Sequence, residues 1–166
     1  MTCTPDVPMA DRHTFNLREN EVETVGKKER FRRNIMAIQL LKKCQEKNRF
    51  ATPEEQIILS KYVGWGGLSE AFDENNSAWA TEYLELSSVL TPEEYASARE
   101  STLTAFYTPP EVITAIYKAM EQMGFKEGNL LEPSCGIGNF IGMLPDTMQD
   151  SKICLLYTSP SPRLQL

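Results

Sequence analysis

The sequence predicts a mixed α/β protein, in which a helical N-terminal region is followed by one strand–loop–helix unit. Two observations carry this prediction. Apolar residues recur at steps of three or four in several segments between residues 27 and 123, which is typical of amphipathic helices. Residues 129–132 then form a short apolar run ending in an acid, followed by a turn of small residues and a helix start. With 166 residues, 41% of them hydrophobic, the chain suffices for one ordinary domain or for part of a larger one.

The composition disfavours several classes of protein. No stretch approaches the roughly 20 apolar residues of a membrane span, and the N-terminus lacks the basic start and apolar run of a signal peptide. We therefore expect a cytoplasmic protein with no membrane partner. The four cysteines are scattered without a CxxC pair and His13 is the only histidine, which disfavours a metal site and a disulfide framework. The oligomeric state is left open.

The charge is unevenly distributed. The net charge of −6 argues against binding of nucleic acid by bulk electrostatics. Between Lys27 and Lys47, however, eight Lys or Arg residues stand against Glu29 and Glu46, so this segment carries +6 and the remainder −12. The basic segment is interpreted either as a solvated helix face or as a surface that faces phosphates.

The elements are predicted in chain order as follows. Residues 1–26 show no sustained periodicity and form a flexible lead-in, and residues 27–104 form a helical region. Its first helix covers residues 29–47, whose apolar stripe consists of Phe31, Ile35, Ile38, Leu41 and Cys44. The sequence Thr-Pro-Glu-Glu occurs at residues 52–55 and again at 91–94. Each copy offers an N-cap, a proline at the first helical position and an acid at the third, which predicts helices over roughly 53–63 and 92–101.

Between these two helices lies Gly64-Trp65-Gly66-Gly67. Three glycines permit unusual backbone angles around one large ring. Two interpretations are open: a helix-ending turn with Trp65 packed inward, or a tryptophan offered to a base or a partner.

The most informative stretch follows the last helical stripe, which stops at Gly124 and contains Val112, Ile113, Ile116, Tyr117, Met120 and Met123. A strand over 129–132 ends in Glu132, and Gly136 and Gly138 would let the backbone approach a ligand closely. The helix beginning near Asn139 would present free N–H groups, which favour a carboxylate or phosphate. Because Glu132 can accept from an ammonium group, the stretch predicts a ligand such as the methionine part of S-adenosylmethionine (SAM).

Other ligands fit the same turn less well. A P-loop has a lysine directly after its last glycine, and no lysine directly follows Gly138. A dinucleotide fold takes GxGxxG directly from its strand, whereas Gly136, Gly138 and Gly142 are spaced GxGxxxG and follow Glu-Pro-Ser-Cys. This leaves NAD(P) as a weak alternative. A tight glycine turn without any ligand stays open as well.

Residues 106–112, Phe-Tyr-Thr-Pro-Pro-Glu-Val, precede an amphipathic helix and then Glu-Pro-x-x-Gly-x-Gly-x-Phe at 132–140. This pair resembles motifs X and I of amino-methylating DNA methyltransferases. The resemblance implies that residues 105–153 begin a Rossmann-like SAM-dependent methyltransferase fold, here truncated, with SAM as cofactor. The residues implied to bind it are Tyr107 and Thr108 at the methionine end, Glu132, Pro133, Cys135, Gly136 and Gly138 in the cradle, and Phe140 beneath. The alternative for 106–112 is an ordinary helix entry before proline.

Residues 29–153, with Ala51–Gln56, Tyr62–Gly67 and Leu90–Tyr95, are similar to the large methyltransferase–helicase fusion proteins of bacterial conjugative elements. This similarity implies DNA as the partner of the full-length protein. It also implies methyl transfer to the N6 of an adenine that is flipped out of the duplex.

The sequence departs from that family in two places. The second strand of a SAM fold normally ends in an acid that holds the ribose, and the fourth in (Asn/Asp/Ser)-Pro-Pro-(Tyr/Phe), which holds the target amine. Here the second strand should begin at residues 151–153, no acid follows Asp150, and the second motif is absent. Residues 154–166 look like translated adapter sequence and are interpreted as a non-native tail, the alternative being a genuine Pro/Ser-rich tail.

We therefore expect a fragment that binds SAM and is itself inactive, and we assign no catalytic residue. The alternative function is a non-enzymatic DNA-binding or interaction module of a mobile-element helicase-like protein, using the basic helix over 29–47 and Trp65.

Overall fold

The computed structural model describes residues 15–19 and 25–155. The chain divides into two compact units. Unit 1 comprises residues 1–13 and 23–106, and unit 2 comprises residues 14–22 and 107–166. Most of the predicted lead-in and residues 156–166 of the predicted tail lie outside the described residues.

Unit 1 is helical. Its helices are α1 (Lys27–Glu46), α2 (Pro53–Leu59), α3 (Ala80–Val89) and α4 (Pro92–Ser101), with 3-10 turns at Ser69–Phe72 and Ser77–Trp79. The predictions for α1 and α4 are confirmed within two residues. The second helix ends at Leu59, earlier than the predicted residue 63. The N–H groups of Lys61 and Tyr62 close turns after it, and these turns lead into Gly64, where φ is 69°. Helix α3 was not predicted, since only Leu86 of this helix is buried and Leu84 is 68% exposed.

Both Thr-Pro-Glu-Glu segments form the predicted capping boxes. Thr52 Oγ1 accepts from the Glu55 N–H at 3.3 Å, and Glu55 Oε2 accepts from the Thr52 N–H at 2.9 Å. Thr91 and Glu94 make the same pair of bonds at 3.2 and 2.8 Å. Each box satisfies N–H groups that have no partner within the helix, which is why the sequence marks these two helix starts so clearly.

The first box also predicts a pH dependence of stability. Two hydrogen bonds from Arg49 to Glu55, at 2.6 and 2.8 Å, hold the pKa of Glu55 at about 2, below its ordinary 4.5. Because the pKa is lowered in the folded state, the contribution is complete above pH 4.5 and is lost as the pH falls towards 2. We expect Glu55→Gln to be less stable than wild type at pH 7, with the difference shrinking through that window in urea unfolding.

Exposed Glu46 supplies the control variant, Glu46→Gln, which should follow wild type at every pH. A stability difference for Glu55→Gln that stays constant from pH 7 down to about pH 2 would contradict the assignment.

The core of unit 1 is aromatic. Trp65 is 4% exposed, and its ring lies 6.0 Å from that of Phe31 and 5.4 Å from that of Phe72. The inward-packed interpretation of Trp65 is thus confirmed, and the tryptophan offered to a base is wrong. The glycines around it allow the chain to turn while the ring packs inside, since Gly64 and Gly67 both have positive φ.

Unit 2 contains α5 (Pro110–Gln122), β1 (Asn129–Glu132), α6 (Asn139–Gly142) and β2 (Lys152–Leu155). The two strands pair in parallel, from Asn129 opposite Lys152 to Glu132 opposite Leu155. The predicted strand–loop–helix unit is confirmed, and β2 begins within residues 151–153, as predicted. Over residues 15–19 and 25–155 the chain is therefore mixed α/β and mainly helical, with a two-stranded parallel sheet.

The core of unit 2 lies between α5, β1 and the segment after α6. Its buried residues are Ile113, Tyr117, Met143, Leu144 and Met148. The 3-10 turn at Leu17–Glu19, inside the predicted lead-in, also contributes to this unit. A β-carbon at Gly142 would lie 2.6 Å from Leu17 Cδ1, so this glycine lets Leu17 pack closely against α6.

Candidate ligand-binding site

The site is built around the tip of β1, where Glu132 ends the strand. Glu132 is half-buried, and its Oε1 accepts from the Ser134 N–H at 2.8 Å. This bond turns the chain immediately after the strand, and it fixes the carboxylate at the mouth of the loop. An ionised carboxylate has about four acceptor sites and this bond uses one of them, so Glu132 can still accept from an ammonium group.

Two glycines in the left-handed region shape the loop that follows. Gly136 has φ 54° and Gly138 has φ 84°, values that other L-residues rarely adopt. The Gly138 N–H donates to the Cys135 carbonyl at 2.8 Å and closes the turn, and Gly138 is also the N-cap of α6. A β-carbon added at Gly138 would meet nothing within 4 Å. This side of the turn is therefore open, and a ligand can approach its backbone.

Tyr107 covers the other glycine. A β-carbon at Gly136 would lie 2.9 Å from Tyr107 Cδ1 and 3.0 Å from Cε1, so the tyrosine ring rests directly on the turn. Segments 106–112 and 132–140 are distant in the sequence, with most of α5 and all of the following loop between them. This contact brings them together in space. Burial raises the pKa of Tyr107, so its phenol stays protonated at neutral pH.

This contact corrects one expectation. At Gly136 the group that excludes a side chain is the Tyr107 ring, whereas the sequence suggested a ligand. Of the two glycines, only Gly138 has open space where a β-carbon would stand.

The other predicted residues differ in their surroundings. Thr108 and Cys135 are half-buried and Pro133 is exposed. Phe140 packs against the core of unit 2, and its carbonyl accepts from the Tyr117 hydroxyl at 2.7 Å. Tyr117 appeared in the sequence only as a member of the helical stripe. A buried tyrosine hydroxyl needs a hydrogen-bond partner. The tyrosine within the otherwise aliphatic stripe of this helix is therefore the sequence signal that could have identified this bond.

A groove of about 430 Å³ runs beside β1 in unit 2. It is mainly apolar, and among its lining residues Glu132 alone is charged. The lining comprises Ile116, Tyr117, Met120, Leu130, Leu131, Glu132, Pro133, Phe140, Ile141, Leu144 and Ile153. Three predicted residues, Glu132, Pro133 and Phe140, line this groove, whereas the glycines and Tyr107 lie on the turn beside it.

Helix α6 is shorter than a strong anion site requires. It comprises only Asn139–Gly142, a single turn. A helix of one turn sums few peptide dipoles and is marginal without tertiary support. The expected attraction of a carboxylate to its N-terminus is therefore weaker than the sequence suggested.

Several cations of the basic segment are bonded to other parts of unit 1. Lys27 pairs with Glu70, Lys28 with Glu82 at 2.7 Å, and Lys42 with Glu94 at 2.6 Å. Lys28 also lies 4.2 Å from the centroid of the Trp79 ring, and Arg30 donates to the Gly66 carbonyl at 2.5 Å. Cations paired in this way are less available for phosphates. The structure favours the solvated helix face over a surface that faces phosphates.

Within the described residues, no group of three or more His, Cys, Asp or Glu side chains is arranged to hold a metal ion. None of the helices in those same parts of the chain is both long and apolar enough to cross a membrane. Comparisons with models of known protein families, with curated proteins and with solved structures found no match.

Proposed function

We propose that unit 2 binds SAM at the glycine turn, as the cofactor-binding part of a DNA adenine-N6 methyltransferase-like protein. The observation that carries this proposal is the contact between Tyr107 and Gly136. This contact brings together segments 106–112 and 132–140, which are the two segments that resemble motifs X and I. A glycine turn that only linked a strand to a helix would not require an aromatic residue from before α5 to cover it.

The residues fit the amino-acid end of SAM. The Glu132 carboxylate stands at the mouth of the turn and is suited to an ammonium group. The open backbone at Gly138 allows close approach, and Tyr107 borders the turn from the other segment. When bound, SAM would supply an electrophilic methyl group on its sulfonium. The part of the chain described here would bind and orient the cofactor, while the sequence has no Pro-Pro-aromatic motif to hold an acceptor amine.

The sheet agrees with a Rossmann-like fold. Two parallel strands joined by a crossover form the repeating unit of such a sheet, and ligands bind at the carboxyl ends of its strands. Glu132 and the glycine turn lie at that end of β1. A DNA partner, a fused helicase and a mobile-element origin rest on the sequence resemblance, and a cytoplasmic location rests on the composition.

We propose further that this chain transfers no methyl group. Contacts to a cofactor provide ground-state binding, whereas rate acceleration requires the acceptor nitrogen to be held in line with the methyl group. The alternative, a DNA-binding module using α1 and Trp65, is disfavoured, because Trp65 is buried and five of the seven α1 cations form ion pairs within unit 1.

Isothermal titration with SAM at up to about millimolar concentration tests the proposal. Gly138 and Gly124 form a matched pair: both have positive φ, 84° and 87°, and a β-carbon at either meets nothing within 4 Å. Alanine at each site therefore introduces similar backbone strain, on the order of 1–2 kcal/mol. Gly124 follows α5, away from the turn. We expect Gly124→Ala to bind like wild type and Gly138→Ala to bind about tenfold more weakly.

Absence of any SAM binding by wild type, or an equal loss in both variants, would contradict the proposal. Binding of NAD(P) without binding of SAM would replace it with the dinucleotide alternative.

A further inference from the structure

Tyr117 is a buried residue of α5 that belongs to neither of the two motif segments. It is 7% exposed, and its hydroxyl donates to the Phe140 carbonyl at 2.7 Å. We propose that Tyr117 is a positioning residue, which holds the glycine turn in its ligand-binding shape by anchoring α6. This inference rests on the proposed function and adds a residue that the resemblance does not supply.

The anchor is needed because α6 is a single turn. The last carbonyls of any helix have no partner within it, and a one-turn helix has little stability of its own. The Leu144 N–H, which would bond Phe140 in a continuing helix, donates to the Ile141 carbonyl at 3.2 Å. The Tyr117 hydroxyl gives the Phe140 carbonyl a partner. A bond from the longer helix α5 thus replaces one that α6 cannot make for itself.

The ring of Tyr117 has a separate role from its hydroxyl. Its centroid lies 6.2 Å from that of Phe140 with an interplanar angle of 71°, an edge-to-face contact inside the core of unit 2. Burial and the charge of Glu132 raise the pKa of Tyr117, so the hydroxyl remains a donor at neutral pH. The bond from the Ser134 N–H to Glu132 holds the start of the turn, and the bond from the Tyr117 hydroxyl to the Phe140 carbonyl holds its end.

The consequence for binding follows from pre-organisation. A turn fixed at both ends presents the Gly138 backbone in one arrangement, whereas a frayed α6 would have to be ordered when the ligand binds. Loss of one such hydrogen bond corresponds to an affinity reduced by about three- to tenfold. We expect Tyr117→Phe, which keeps the ring, to weaken SAM binding by that factor without unfolding unit 2.

The control is Tyr95→Phe, because Tyr95 is a partly buried tyrosine of unit 1 whose ring packs on Phe72. Amide hydrogen exchange measured by NMR gives a readout that does not depend on SAM. Tyr117→Phe should speed exchange of the Gly138 and Gly142 N–H groups, which bond Cys135 and Gly138, more than exchange in α5. Tyr95→Phe should leave both glycines unchanged.

Unchanged exchange at both glycines, or an equal increase throughout unit 2, would overturn the positioning role in favour of ordinary core packing. Equal SAM affinity of Tyr117→Phe and wild type would overturn it as well. If wild-type protein fails to bind SAM, the proposed function fails, while the exchange data still decide whether Tyr117 holds the turn.

Discussion

Replacement of Asn34 by alanine is expected to lower the free energy of unfolding of unit 1 by about 3 kcal/mol. Asn34 lies on α1 and is 0% exposed. Its Nδ2 donates to the Gly64 carbonyl at 2.7 Å, and its Oδ1 accepts from the Val63 N–H at 2.9 Å. Alanine would leave both backbone groups without these bonds, and each unsatisfied buried group costs about 1–3 kcal/mol.

Urea unfolding followed by tryptophan fluorescence measures this effect in unit 1, because Trp65 and Trp79 both lie there. Gln39→Ala is the matched control, since Gln39 is an exposed amide on the same helix. If Asn34→Ala falls within about 0.5 kcal/mol of Gln39→Ala, Asn34 does not hold the Gly-Trp-Gly-Gly turn.

The second large effect is expected at Gly66. A β-carbon there would lie 2.1 Å from the Ala105 carbonyl oxygen, and this neighbour is backbone that cannot rotate away. The adjacent Gly67 N–H donates to the Thr102 carbonyl at 3.0 Å, which holds the turn against the end of α4. We expect Gly66→Ala to destabilise unit 1 by about 3 kcal/mol, because the two segments must separate to admit the methyl group.

Gly67→Ala provides the comparison within the same turn. Gly67 has φ +70° but open space around its β-carbon position, so alanine there meets backbone strain alone, about 1–2 kcal/mol. The same unfolding assay should therefore rank Gly66→Ala as the more damaging substitution. The reverse order would show that Gly66 does not approach Ala105 as closely as described.

Local signals explain what could be predicted from the sequence. Both Thr-Pro-Glu-Glu segments specify helix starts through bonds within four residues, so the local sequence alone marks them. The start of β2 was predicted as well, from the resemblance to a SAM-dependent fold, whose second strand was expected to begin at residues 151–153. Helix α3 was not predicted because its apolar residues do not follow a clear helical pattern. Leu86 is buried, whereas Leu84 is exposed.

The features of the site that were not predicted are long-range. That Tyr107 fills the space at Gly136 depends on how the chain returns after α5, which no local pattern encodes. The bond from Tyr117 to Phe140 likewise joins residues on different elements. The pairing of Lys27, Lys28 and Lys42 with acids from later segments offsets part of the basic charge that the sequence displays.

The central claim is that the glycine turn of unit 2 binds SAM, and an NMR titration of isotope-labelled protein tests it most directly. The proposal predicts that SAM at up to about millimolar concentration shifts the amide resonances of Tyr107, Glu132, Gly136 and Gly138 in a saturable way. The resonances of Gly64 and Gly66 in unit 1 should stay in place and serve as the internal control. No saturable shift at Gly136 and Gly138, or shifts confined to unit 1, would contradict the claim.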